Sequence, residues 1–336
     1  MSRTPAASSV RRIAADCGVS IATVSRVLNG APNVAPATRE LVEAAIAARA
    51  PAVLVPRRAP TRSSGPVYVR CPYVLSDYFG LIVSSVTETL RLHDRVVELD
   101  AGESSQTRHP LAALPSHAGG AILILPPEEP AELLALRRRG FPFVVVDPRT
   151  RPPASIASVS AAHVTGARSA TAHLLALGHR RIGVLAGPQE WLAGSDRLAG
   201  HHAAMGAAGL LSDPSLIRLM PPTLEEGLEA AGRLLDLPTP PTALVCFNDK
   251  IAVGALRAAQ ARGLSVPGDL SITGFDDIDI SRATTPELTT VRQPLAELGR
   301  TAVTLLSRLT RGEAVEALHT ELATELVVRA STAPPP

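Results

Sequence analysis

From Val67 to Thr332, short β-rich runs alternate with longer helical ones, and this alternation limits the fold more than any other feature of the chain. The strand candidates are Val67 to Cys71, Val96 to Asp100, Ala121 to Leu125, Phe143 to Val146, Ile182 to Ala186, Leu216 to Leu219, Ala243 to Cys246 and Leu270 to Thr273. Helical stretches between them include Gly80 to Leu92, Ala131 to Arg139, Gly166 to Leu177, Leu224 to Leu235 and Lys250 to Arg262. A chain patterned this way builds parallel sheets covered by helices on both faces. The region is about twice the size of one compact α/β unit. Its strands divide into two series near Asp147 to Ser160, so two similar lobes with a cleft between them are expected. Ligands of such folds bind outside the carboxyl ends of the strands. The polar residues at those ends are Asp77, Asp147, Asn248, Asp249 and Asp276. Carboxylates and amides so placed exchange hydrogen bonds with vicinal hydroxyls, and Phe79 and Trp191 offer aromatic faces for the apolar side of a sugar ring. Each has a structural alternative: Asp276 and Asp277 as a turn cap, Asn248 and Asp249 as a helix cap, Trp191 as core.

Ahead of this region, Val10 to Gly30 reads VRRIAADCGVSIATVSRVLNG. Ile13, Ala14 and Cys17 share one helical face, and Gly18 supplies the positive φ of a sharp turn. Ser20 is placed to cap a second helix, whose apolar face is Val24, Val27 and Leu28. That helix presents small and polar side chains outward, the layout of a helix-turn-helix DNA reader; an ordinary αα-hairpin is the alternative. Charge favours the reader. Residues 1–62 hold nine arginines against Asp16, Glu40 and Glu43, whereas the remaining chain carries 24 basic and 28 acidic residues. Lys250 is the only lysine, a compositional bias toward arginine that should act on the whole chain alike. A basic head on a mildly acidic body therefore marks a nucleic-acid-binding module joined to something else.

The spelling AxxxGVSxATVSRVLNG, from Ala14 to Gly30, resembles the lac repressor (LacI/GalR) family. The likeness continues through Asn33, Val34 and a third helix opened by Thr38, Arg39 and Glu40, with Leu41, Val42, Ala45 and Ile46 inward. The resemblance implies an all-α helix-turn-helix headpiece at 1–50, whose second helix enters the major groove. Ile21 and Ala22 would take the main base-reading positions, through apolar contact with thymine methyls. Arg26 would touch a base or phosphate, and Ser20, Thr23, Ser25, Asn29 and Asn33 would set the helix on the backbone. Residues 51–66 form a proline-rich linker. The family folds a hinge helix in this region on its operator, but here Pro56 and Pro60 interrupt it, and each internal proline costs a helix about 3 kcal/mol. No regular hinge helix is expected. Arg57, Arg58 and Arg62 either track phosphates as an arm or belong to a solvated linker.

Further blocks of likeness are LLALGHRRIGVLAGP (174–188), RLAGHHAAMGAAGL (197–210), the stretch from Pro241 to Ile280, and PELTTVRQPLAELG (286–299). They imply that residues 67–332 form an α/β two-lobed, periplasmic-binding-protein-like body with parallel sheets, in which Arg197 joins the effector contacts and Gln293 closes the cleft. The function implied is a transcriptional regulator, a repressor released from a pseudo-palindromic DNA operator by a small sugar-like effector. Operator geometry calls for a homodimer. The helix Leu295 to Leu309 and the first-lobe helices are its expected interface.

Other classes find little support. The N-terminal MSRTPAASS lacks a signal peptide's apolar core, and no run is long and apolar enough for a bilayer, so a cytoplasmic location without membrane attachment is expected. A secreted solute-binding protein would share the body but not the basic head. Cys17, Cys71 and Cys246 lie far apart in apolar stretches, giving neither a disulfide framework nor a metal site. No phosphate loop, dinucleotide fingerprint or nucleophile elbow occurs, so no catalytic residue, cofactor or metal is assigned.

Overall fold

The computed structural model describes residues 14–28, 34–47, 65–102, 114–115 and 117–336. The chain divides into two compact units, with the boundary between Arg62 and Ser63. Asn29, Asn33, Arg57, Arg58 and Arg62, with the interrupted hinge, lie outside the described residues.

In the first unit, α1 (Ile21–Leu28) and α2 (Pro36–Ala47) follow a helical segment at 14–16. Gly18 makes the turn at φ +62°. Ser20 caps α1, its Oγ accepting the Thr23 amide at 3.0 Å, which satisfies a first-turn donor that the helix itself leaves unpaired. Ala14, Val24, Val27 and Val42 form the buried centre, with Cys17, Val19, Val34 and Ala45 against it. Leu41, expected inward, is 52% exposed. Val42 takes the inward position of that turn, and successive helical residues point about 100° apart.

The second unit holds two six-stranded sheets. In the first lobe, β1 (Val67–Cys71), β2 (Val97–Ala101), β3 (Gly120–Ile124), β4 (Phe143–Val146), β5 (Ser158–Ala161) and β11 (His319–Leu322) lie in the order β2-β1-β3-β4-β5-β11, all parallel. In the second, β6 (Ile182–Ala186), β7 (Ile217–Leu219), β8 (Ala243–Cys246), β9 (Ser271–Asp276), β10 (Thr289–Arg292) and β12 (Glu325–Val327) lie as β7-β6-β8-β9-β10-β12, with only β12 antiparallel. The central strands are buried on both faces, as their apolar runs require, with Arg70 of β1 the buried charged exception among β1, β3 and β6. Strands β5, β10, β11 and β12 are not among those expected from the sequence. Each is three or four residues long and carries polar side chains (SVSA, TTVR, HTEL, ELV), so no apolar run announces it.

Helices α3 (Asp77–Leu92), α4 (Pro130–Arg138) and α9 (Leu295–Thr310) belong to the first lobe. Helices α5 (His163–Ala176), α6 (Leu192–Ala207), α7 (Leu224–Leu235) and α8 (Asp249–Gln260) belong to the second. The first crossing between lobes falls at Ala162, after β5, rather than within 147–160. The chain returns at residues 293–294 and crosses again at 323–324. Helix α9 buries Leu298, Ala302, Val303 and Leu306 with the first-lobe sheet core. Its apolar face is thereby packed within the chain. Among the described residues no helix is long and apolar enough to cross a membrane.

Candidate functional site

A cavity of about 100 Å³ lies between the two lobes of the second unit, at the carboxyl ends of the strands. Parallel strands deliver their ends to this edge, and three residues there are bent into the left-handed region: Leu125 (φ +43°) and Asp147 (φ +49°), just after β3 and β4, and Asp276 (φ +111°), which ends β9. Such backbone costs a side-chain-bearing residue about 1–3 kcal/mol and gathers at ligand sites.

The first lobe contributes Asp147 and the start of α3. Asp147 is buried; its Oδ2 accepts the Tyr78 hydroxyl at 2.7 Å and its Oδ1 meets His163 Nε2 at 2.8 Å. His163 Nδ1 accepts from Arg197 Nε at 3.4 Å. Because a guanidinium only donates, the ring proton belongs on Nε2, directed at Asp147. Burial alone would raise the Asp147 pKa, but His163 and Tyr78 outweigh it and hold the carboxyl below its ordinary value. The Tyr78 phenol is pushed well up by burial and by the Asp147 charge, which keeps it a donor.

The second lobe contributes Arg197 from α6, Asn248 and Lys250 from the start of α8, and Asp276 from the end of β9. Arg197 is clamped between the rings of Phe247 and Phe275, 4.3 and 3.7 Å from their centroids. It donates to the Phe247 carbonyl and stands 3.5 Å from Asp276 Oδ1. Gln293 donates to that same oxygen at 2.6 Å. Burial pushes the Asp276 carboxyl up to about 6, against the opposing pull of Arg197. Asn248 caps α8 through Oδ1 to the Ile251 amide at 2.9 Å and also lines the cavity. On the aromatic side, Tyr73 stacks on Phe79 at 4.6 Å and meets the edge of Trp191 at 6.0 Å. Arg149 lies 5.8 Å from the Trp191 ring.

Of the residues singled out in the sequence, Phe79, Asp147, Trp191, Arg197, Asn248 and Asp276 line this cavity. Asp77, Asp249 and Gln293 do not. Asp77 opens α3 on its exposed side, and its helical neighbours Tyr78 and Phe79 take the inward places. Asp249 is turned into the lobe, accepting from the Thr290 hydroxyl at 2.6 Å and the Ile278 amide at 3.0 Å. Burial and the neighbouring Asp276 charge raise its pKa well above the carboxylate norm. It ties α8 to the ends of β9 and β10, and so supports the cavity from behind. Gln293 does the same for Asp276. Tyr78, His163 and Lys250 went unnoticed in the sequence. Lys250 had a signal, as the chain's single lysine directly after Asn248 and Asp249; His163 follows a strand that carries no pattern.

In the first unit, the outward face of α1 carries Ile21, Ala22 and Arg26, all exposed, with Thr23 half-buried. Ile21 is 48% exposed at the first position of the helix, beside the Ser20 cap. The side chain of Ser25 is outside what is described.

Residues 9–49 match the bacterial regulatory proteins of the lacI family, and residues 171–332 match the periplasmic binding protein-like domain. The HTH-type transcriptional repressor CytR of Escherichia coli K12 is 34% identical over 331 residues, which span 97% of this chain and 96% of CytR. Among solved structures, a transcriptional regulator CelR–cellobiose complex superposes with a TM-score of 0.74 at 32% identity, over 96% of this chain and 99% of that one. The lac repressor dimer bound to operator and an anti-inducer gives 0.71 at 29% identity, over 96% and 98%.

Proposed function

Since the chain belongs to the lacI family of bacterial regulatory proteins and is a DNA-binding transcriptional regulator, we propose that it is a repressor released from its operator by a small polyhydroxylated effector. The supporting observation is that one chain joins a capped helix, exposing Ile21, Ala22 and Arg26, to a body whose lobes enclose aromatic faces beside Asp147, Asn248 and Asp276. The effector belongs in that cavity, with its ring on the aromatic wall and its hydroxyls on the strand-end groups. Arg197, Asp147 and Asp276 orient it. The protein works in the cytoplasm as a homodimer, because a single headpiece buries too little surface for operator specificity. Exposed Leu81, Leu92, Val96 and Leu99 on α3 and around β2 offer apolar surface to a second copy. Ser20, Ile21, Ala22, Thr23, Ser25, Arg26, Asn29 and Asn33 form the operator surface, with Arg57 and Arg58 on the flanking phosphates.

Selection of a random duplex library on the purified protein tests this reading. The expected product is a two-fold symmetric site bound with a steep salt dependence. Arg26→Ala should weaken it and, where Arg26 touches a phosphate, lower the salt slope by about one. Enrichment of no site, with equal weak binding to all DNA, refutes the proposal.

A further inference from the structure

Most of the side-chain acceptors around the cavity already hold partners within the protein. Both oxygens of Asp147 are engaged, Oδ1 of Asp276 is shared by Gln293 and Arg197, and Asn248 Oδ1 is committed to its cap. Lys250 is another matter. It sits in the first turn of α8, and its Nζ meets only the Ser76 hydroxyl, at 3.3 Å. Among the described residues no carboxylate forms an ion pair with it, and the adjacent Asp249 carboxylate is turned away onto Thr290 and Ile278. A cation in the first turn of a helix opposes the helix dipole. Lys250 leaves that positive end only to reach another: Ser76 is the N-cap of α3 and makes no side-chain cap hydrogen bond, so the first-turn amides of α3 have no side-chain acceptor there. On the same cavity, the indole Nε1 of Trp191 is buried with no partner. An ammonium met only by a hydroxyl and a helix end without a side-chain cap thus lie together on one cavity, and no carboxylate among the described residues neutralises them.

We propose that the effector of this protein carries an oxyanion, a carboxylate or phosphate on a polyhydroxylated frame, which binds Lys250 together with the Ser76 end of α3. This rests on reading the cavity as the effector seat, and it specifies the chemical class. A compact ammonium suits such a group as a point charge, without the planar fork of an arginine. The two carboxylates of the cavity are already paired, Asp147 with His163 and Asp276 with Arg197. Because Lys250 belongs to the second lobe and Ser76 to the first, the oxyanion bridges the lobes and favours the arrangement in which they are close.

The test is calorimetric titration of the full-length protein with a panel of hexoses and pentoses, each as the neutral sugar, its uronate and its phosphate, at low and high salt. At least one charged member is expected to bind about ten-fold more tightly than its neutral parent, with the preference shrinking as salt rises. The winning series tells carboxylate from phosphate. In Lys250→Met the preference should vanish, and Lys250→Arg should restore most of it; far-UV circular dichroism and the thermal midpoint establish that each variant is folded. A panel in which no charged member outranks its neutral parent overturns the proposal, as does a preference that survives in Lys250→Met. Operator release by a neutral sugar, indifferent to Lys250, overturns it while leaving the repressor reading intact. Failure to select any operator strikes that reading instead, and the charge preference is still read by calorimetry.

Discussion

His163 joins the lobes through two buried hydrogen bonds, and its removal is the sharpest perturbation of the polar chain. The ring is 3% exposed, donates to the Asp147 carboxylate at 2.8 Å and accepts from Arg197 at 3.4 Å. In His163→Leu the shape is roughly kept, but Asp147 Oδ1 loses its donor and Arg197 Nε its acceptor. A hydrogen bond to a charged group contributes about 1.5–3 kcal/mol, and the longer Arg197 contact less, so a loss of about 3 kcal/mol is expected. Trp191, the only tryptophan, lies on the cavity, so its fluorescence during urea unfolding reports on the body. Asp147→Asn alone should cost about 2 kcal/mol, because the amide cannot accept from both His163 and Tyr78 as the carboxylate does. The double variant should lose about 3 kcal/mol rather than the sum, a coupling of about 2 kcal/mol. Losses that add to within about 0.5 kcal/mol would refute the idea that these residues form one network.

Further outcomes follow from the same geometry. The Asp276 carboxyl is pushed up to about 6 by burial, so the folded state favours its protonated form. That stabilisation is whole below the unfolded value near 4 and is lost as pH rises through 6. Asp276→Asn should therefore gain on the wild type by about 2 kcal/mol between pH 4 and pH 7.5 in urea unfolding, while losing effector binding. A Cβ on Gly254 would stand 2.3 Å from the Leu224 carbonyl and 2.6 Å from the Leu228 amide, both backbone atoms of α7. Gly254→Ala should cost about 2 kcal/mol or more, since α7 must move off α8. Gly206, exposed near the end of α6, has nothing within 4 Å of such a Cβ, and Gly206→Ala should stabilise by about 0.5–1 kcal/mol in the same assay.

The pattern of strands and helices was legible because buried parallel strands must be apolar on both faces, and most of the long elements were readable this way. The headpiece was legible because Gly18, Ser20, Val24 and Val27 are each dictated by local backbone needs. Where the reading failed, the deciding contact was distant in sequence. Asp249 looked like a cleft residue by its place after β8, yet it turns inward because Gly274 leaves room for it: a Cβ there would lie 2.2 Å from Asp249 Oδ1. Tyr78 rather than Asp77 faces inward because the exact start of α3 decides which side chain does so, and no local pattern fixes that start. His163 gains its role only from Asp147 and Arg197, 16 and 34 residues away.

The crossings between lobes explain how occupancy of the cavity can act at a distance within the body. His163 stands at the first crossing and is bonded to Asp147; Gln293 stands at the second and is bonded to Asp276; Thr324, at the third, donates to the Ala162 carbonyl of the first at 3.3 Å. The carboxylates proposed to receive the effector are thus the same groups that hold the hinge segments. At the mouth of the cleft the lobes meet again, through Leu192 N to the Arg149 carbonyl at 2.7 Å and Lys250 to Ser76. A ligand that recruits Asp147, Asp276 and Lys250 together must alter both the hinge side and the mouth side of the cleft, because no group there is free of the lobe contacts. Its leverage on DNA binding is bounded by its preference for one lobe arrangement over the other, about 1–3 kcal/mol for couplings of this kind. A ligand that touches one lobe alone, however tightly it binds, has no such preference and leaves the operator occupied.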